Sequence, residues 1–255
     1  MSVLFEARGL SRRFGRVQAL DGADFDIDEG EVVALIGDNG AGKSTLVKAL
    51  TGNLAVDSGE LRFQGEPVSF ATPQEASRLG IEVVHQDLAL APHLDSAQNM
   101  YLGREIMRPG LLGKLGFMDN TTMREATAKA FTELGSAVRS VVVPVGAMSG
   151  GQKQSVAIAR AVAWANKVLF LDEPTAALGV VQTRNVLDSI KRVRDQGIAV
   201  VLISHSMPHV LEVADRVQVL RLGRRVATFE AEGTSVETLV GAMTGALELN
   251  QEGAA

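Results

Sequence analysis

Short apolar runs alternate with helical periodicity along most of this chain. Val32–Ile36, Ile81–Val84, residues 168–171 and Ala199–Ile203 are rich in Val, Ile and Leu and lack a polar alternation. Strands of that kind belong to a sheet covered on both faces. Helical patterns fall between them, at residues 43–52, 122–134, 180–195 and 208–214. The second of these carries apolar Ala126, Ala130, Phe131 and Leu134, with a candidate capping box at Thr122 and Glu125. The alternation predicts an α/β fold with a mainly parallel sheet. The N-terminal part reads differently. Residues 3–5, 17–27 and 59–63 are candidates for an antiparallel sheet along one edge. Residues 88–164 read as mostly helical, broken by a Gly/Pro loop at 109–116, and predict a helical insertion into the α/β core. We expect one domain over residues 1–255, with a frayed tail at 245–255.

Composition narrows the picture. The 255 residues and 46% hydrophobic content suffice for one sizeable core. Thirty acidic against 25 basic residues give a net charge of −5, and basic runs stop at pairs such as Arg12-Arg13 and Arg224-Arg225. Nucleic acid is therefore disfavoured as a partner. The absence of cysteine excludes disulfide and thiolate chemistry. The apolar runs are far too short to span a bilayer, and no stretch of signal-peptide type opens the sequence. A soluble protein is expected, held at a membrane only through something else.

Candidate chemistry begins at "GDNGAGKST", residues 37–45, which fits G-x-x-x-x-G-K-[ST] between a strand and a helix. Gly37, Asp38, Asn39, Gly40, Ala41 and Gly42 would curl backbone N–H groups around a phosphate chain. Lys43 would reach the outer phosphates, Ser44 would ligate Mg²⁺, and Thr45 enters the helix. "VLFLDEP", residues 168–174, ends a strand in two carboxylates. Asp172 is placed for Mg²⁺. Glu173, expected on the opposite side of the strand, could polarise a water for attack on a γ-phosphate. Gln86 and His205 each follow an apolar strand. A carboxamide can touch both Mg²⁺ and water, and an imidazole can hydrogen-bond a γ-phosphate. His205 and His209 have a metal-like spacing, but Pro208 lies between them and no third ligand is near. Phe14 could stack on a base or belong to the core. A second anion-type turn, Ser149-Gly150-Gly151-Gln152, opens a helix whose first N–H groups are expected to be bare.

Taken in order, Phe14, residues 37–45, Gln86, "SGGQ" at 149–152, the strand ending in Asp172, Glu173 and His205 resemble the nucleotide-binding subunit of an ATP-binding cassette transporter. The resemblance runs from Phe14 to about Met243. It implies a P-loop NTPase core of RecA-like type, an N-terminal antiparallel β subdomain and a helical signature subdomain. It also implies ATP and Mg²⁺, and a head-to-tail homodimer in which Ser149–Gln152 of one copy closes over ATP held by the other. The chain departs from the family at Met148, where Leu is common, at Ser155, where a basic residue is frequent, and at Gly179, where an Asp usually links the two ATP sites.

The phrases "FGRVQALDGADFDIDEGEVVALIGDNGAGKSTLVKAL", "HQDLALAPHLDSAQNMYLGRE" and "DEPTAALGVVQT" look like the monosaccharide importers of ribose/fructose type. That likeness implies a subunit at the cytoplasmic face of a bacterial inner membrane. Its partners would be permease subunits docking near Gln86 and residues 87–104, and, indirectly, an extracytoplasmic sugar-binding protein. An importer for another solute, a soluble cassette ATPase and a binding-only cassette are the competing readings.

Overall fold

Strand β3 (Val32–Ile36) is buried along its whole length and lies at the centre of the molecule. The computed structural model describes residues 3–247 except 137, 139 and 177. Residues 248–255 of the expected tail at 245–255, and part of the "AALG" stretch, lie outside the described residues. β3 pairs in parallel with β8 (Ala199–Ile203) and β9 (Arg216–Arg221). β7 (Val168–Asp172) and β6 (Ile81–Val84) extend the parallel sheet on one side, and β10 (Arg224–Glu230) closes the other as an antiparallel edge.

Side chains alternate between the two faces of this sheet, so both faces must be covered. Val33, Leu35, Phe170 and Val201 pack with helix α1 (Lys43–Leu50) and a second sheet. Val32, Leu169, Leu171 and Leu202 pack with α6 (Gly150–Trp164) and α7 (Val180–Asp195). Ala34 and Ile36 pack with α8 (Met207–Val213) and α9 (Val236–Thr244). The continuous apolar runs thus follow from burial on both sides.

The second sheet is antiparallel, in the order β2 (Val17–Asp28), β1 (Val3–Phe14), β4 (Ser58–Phe63), β5 (Glu66–Val68). It is the antiparallel N-terminal sheet that the pattern suggested, and it forms a layer of its own. β1 also runs far beyond residues 3–5. Its register shifts after Ala7 and again after Leu10, so the alternation is lost from the sequence while the pairing continues. α2 (Pro73–Arg78) leads into β6.

Residues 88–164 contain only helices and two isolated bridges among the described residues. α3 (Ser96–Met100), α5 (Asn120–Glu133) and α6 pack on one another, and the four-residue α4 (Leu111–Lys114) lies inside the expected loop. α5 starts earlier than expected. Asp119, not Thr122, is its cap, and it accepts hydrogen bonds from the Thr122 backbone N–H and hydroxyl. The cap lies one turn upstream of the apolar pattern, in a polar stretch without periodicity.

One polar cluster ties the two sheets. Arg216 donates to Glu31 and pairs with Asp26, which also pairs with Arg225. Burial alone would raise the Asp26 carboxyl, but hydrogen bonds from Arg225 and Arg216 outweigh it and hold it below its ordinary value. Removing Arg216 leaves the buried Glu31 without its fork. Arg216→Ala should therefore lower unfolding stability by about 3 kcal/mol at neutral pH, read as a fall in the urea midpoint. A depressed carboxyl stabilises above its unfolded value, so the deficit shrinks as pH falls through the carboxylate range.

Candidate functional site

The parallel strands β3, β7 and β8 release their chains on the same side of the sheet, and the site lies there. After β3 the backbone turns through residues 37–42. Gly37 has φ 156° and Gly42 has φ 104°, regions that L side chains rarely adopt. Space forbids a side chain as well. A Cβ on Gly37 would sit 2.2 Å from the Leu220 carbonyl oxygen, and one on Gly42 would sit 2.6 Å from that of Ala19. The turn is pinned from outside, because the Gly223 N–H donates to Ala41 O and Gly223 O accepts from Asp21 N–H. α1 follows with no side-chain cap, so its first-turn N–H groups are presented to the cavity.

That cavity, of about 410 Å³, is lined by Asn39, Gly40, Gly42, Lys43, Ser44, Thr45, Gln86, Asp172, Glu173 and His205, with Val17, Gln18 and Ala19 from β2. Lys43 Nζ donates to the carbonyls of Gly37 at 2.7 Å and Asp38 at 3.1 Å. Burial lowers the Lys43 ammonium below its ordinary value, against the pull of Glu173, Asp172 and Asp38. Asp172 ends β7 opposite Ile203, and burial raises its carboxyl above the usual range.

Glu173 does not leave on the opposite side of the strand. β7 stops at Asp172, and Glu173 adopts φ 51°, with its N–H donating to Ile203 O at 2.9 Å. The left-handed step brings the second carboxylate into the same cavity, 3.4 Å from His205 Nε2. Burial raises the Glu173 carboxyl, with the nearby His205 acting in the other direction. Its Oε1 is buried without a hydrogen bond.

The hydroxyl, carboxylate and carboxamide oxygens of Ser44, Asp172 and Gln86 are the hard donors that Mg²⁺ takes. The Glu173 oxygen that is buried without a hydrogen bond leaves an acceptor facing these donors, so the residues fit a hydrated cation. His209 lies against the Thr175 hydroxyl at 3.4 Å. No three-residue metal cluster forms among the described residues. Phe14 is exposed at the end of β1 beneath the Arg12 guanidinium and is not part of the cavity lining.

The second turn lies apart. Ser149, Gly151 and Gln152 line a separate recess of about 210 Å³ with Ser155, Val181, Gln182 and Asn185. The first turn of α6 is less bare than expected. Ser149 accepts from Gln152 N–H, and the Gln152 side chain accepts from Ser149 N–H. The S-x-x-Q spacing was the available sign. Met148 is buried in the core beside Ser96, and Ser155 bonds back to Gly151 O at 3.1 Å. Gln182, not singled out in the sequence, touches both glycine-bearing segments. A Cβ on Gly151 would meet Gln182 Cγ at 2.4 Å, and one on Gly179 would meet its Oε1 at 2.7 Å.

Two consequences can be measured. Gly151→Ala should cost about 1 kcal/mol through this overlap, with part recovered in Gln182→Ala, by urea denaturation of the double-mutant cycle. A carboxyl raised in the fold weakens stability once pH passes its ordinary value. Glu173→Gln should therefore melt roughly 2 °C higher at pH 8, with no gain below about pH 4. Thermal scans at the two pH values check the sign.

Known proteins are similar to this chain along its length. The ABC transporter family profile matches residues 20–176. The fructose import ATP-binding protein FrcA of Rhizobium meliloti is 49% identical over 251 residues, covering 98% of this chain and 96% of its own. The xylose/arabinose import ATP-binding protein XylG of Sulfolobus acidocaldarius is 43% identical over 244 residues, covering 96% and 95%. Among solved structures, the ADP conformation of an ATP-binding cassette of an ABC transporter superposes with a TM-score of 0.79 at 25% identity over 96% of each chain. On both the family match and the full-length relatives, this chain belongs to the ABC transporter family of ATP-binding proteins.

Proposed function

We propose that this chain is the ATP-hydrolysing subunit of an ABC importer for a monosaccharide. One observation carries the reading. Lys43, Gln86, the adjacent Asp172 and Glu173, and His205, from four segments, converge on one cavity floored by uncapped helix N–H groups. The names of the full-length relatives, fructose and xylose/arabinose import proteins, support the substrate class.

In this reading the N–H groups of residues 40–45 and the Lys43 ammonium bind the phosphate chain of ATP. Ser44, Asp172 and Gln86 would hold Mg²⁺, which would supply charge neutralisation at the outer phosphates. Glu173 accepts a proton from the attacking water as that oxygen bonds to the γ-phosphorus. The bond from the γ-phosphorus to its bridging oxygen breaks, and ADP leaves with the electron pair. A carboxyl already raised by burial is a better proton acceptor at neutral pH than an exposed one. His205, beside it, orients Glu173 and the γ-phosphate.

The distance between the two turns gives the second half of the proposal. Ser149–Gln152 do not line the cavity of their own chain. They would close over ATP bound by a second copy, the α6 N-terminus facing the γ-phosphate. ATP then favours the closed homodimer, and loss of the γ-phosphate favours opening. Among the described residues no helix is long and apolar enough to cross a membrane. Permease subunits would hold the chain at the cytoplasmic face, with a sugar-binding protein acting outside.

Phosphate release measured with wild type and Glu173→Gln tests the chemistry. Turnover should fall by about 10²–10⁴-fold, and the variant should accumulate as an ATP-bound dimer in gel filtration. Undiminished turnover in Glu173→Gln would overturn the assignment of the base.

A further inference from the structure

We propose that Gln182 is a positioning residue whose side chain fixes the Ser149–Gln152 turn against the segment that carries Glu173. Gln182 stands in the first turn of α7 and spans two glycines. A Cβ on Gly151 would lie 2.4 Å from its Cγ and 2.9 Å from its Cβ, and one on Gly179 would lie 2.7 Å from its Oε1. Neither glycine is required by its own backbone. Gly151 is helical, and Gly179 has φ −73°. Glycine is a poor helix former, so its use at position 151 calls for a reason. The room taken by Gln182 supplies one.

Both ends of this strut are anchored. On one side, Ser149 and Gln152 bond reciprocally and Lys153 N–H donates to Ser149 O at 2.9 Å, so the turn is one piece with the start of α6. On the other, two turns lead from Glu173 into α7. Ala176 N–H donates to Glu173 O at 3.1 Å, and Leu178 N–H donates to Thr175 O at 3.4 Å. Thr183 N–H then donates to Gly179 O at 2.9 Å and opens the helix. α7 is held from outside as well, because Arg184 donates to Glu212 of α8 at 2.6 Å. Leu178 adds a looser contact, 3.8 Å from where a Gly150 Cβ would be. Beside Gln182 the two helix starts part around the recess that Ser155 and Asn185 also line. The Gln182 side chain is thus the bridge between the two first turns.

The consequence for the reaction rests on the ATPase reading. There Glu173 serves the cavity of its own chain, and residues 149–152 serve the ATP of the second copy. Gln182 therefore ties a group acting at one ATP to a turn acting at the other. It lines the recess and not the cavity, so it acts through the turn and not on the phosphate. Removing its side chain leaves the cavity intact and frees the turn to shift by the width of a few atoms. A misplacement of that size lowers turnover while the first binding of ATP is untouched. A position between two sites does not by itself establish coupling, so the test measures the coupling directly.

Hydrogen exchange in the full chain without nucleotide comes first. The amides of Gln152 and Lys153 should exchange about fivefold faster or more in Gln182→Ala, and at close to the wild-type rate in Gln182→Met, which keeps the span. ATP turnover comes second. kcat should fall about tenfold or more in Gln182→Ala, with the Kd of the single chain for ATP unchanged, and Gln182→Met should restore most of the loss. Mixing Gln182→Ala with Glu173→Gln forms pairs in which one intact cavity faces one intact turn, so the mixture should turn over faster than either variant alone. Unchanged exchange at the two amides in Gln182→Ala overturns the strut. Faster exchange with wild-type kcat overturns its part in the reaction, and a mixture no faster than its components overturns the tie between the two sites. If wild type itself hydrolyses no ATP, the ATPase reading falls, and the exchange rates alone decide whether Gln182 holds the turn.

Discussion

Backbone meeting backbone around residues 37–42 is the contact on which the rest of the structure depends. The turn after β3 is closed in by the carbonyls of Leu220 and Ala19, and Gly223 bonds to it and to β2 at once. Three separate segments therefore meet at main-chain distance, with no side chains between them. That constraint orients the parallel sheet against the antiparallel one. It also presents the first turn of α1 to the cavity with its N–H groups unsatisfied. The Arg216, Glu31 and Asp26 cluster fastens the same two layers at another point, so the turn is held on more than one side.

The electrostatics of the cavity follow from burial. Lys43, Asp172 and Glu173 are each displaced toward their neutral forms by desolvation. They partly neutralise one another, yet Glu173 Oε1 makes no hydrogen bond, His205 Nε2 standing 3.4 Å away. A buried acceptor left this way is costly to the folded protein. The left-handed Glu173 backbone belongs with this. A conformation uncommon for a non-glycine residue puts both carboxylates into one cavity.

Much of this was legible in the sequence, for identifiable reasons. Strands buried on both faces announce themselves as apolar runs, and Val32–Ile36, Ile81–Val84 and Ala199–Ile203 fell where expected. Gly, Lys and Ser at fixed offsets marked the tight turn at residues 37–42 because that geometry admits few alternatives. β1 was hidden by its shifts in register, and β9 by the buried Gln218 and the flanking arginines. The shared side of Asp172 and Glu173 was hidden because strand alternation assumes extended backbone, and the chain leaves that state at Glu173. Gln182 was hidden because its importance arises only where α7 meets the start of α6.

Arg160, midway along α6, donates to the carbonyls of Leu88 and Ala89 at 2.9 and 2.8 Å. Just beyond, Asn99 grips the same stretch, bonding the carbonyls of Ala91, Leu94 and Asp95 and accepting from Ala91 N–H. The stretch after Gln86 is thus bolted to the helix that begins at Ser149. Residues 88–95 and α6 are thereby coupled, so that moving one without the other breaks these bonds. Gln86 borders that stretch and lines the cavity, so the cavity and the turn at Ser149 are tied through the same few bonds.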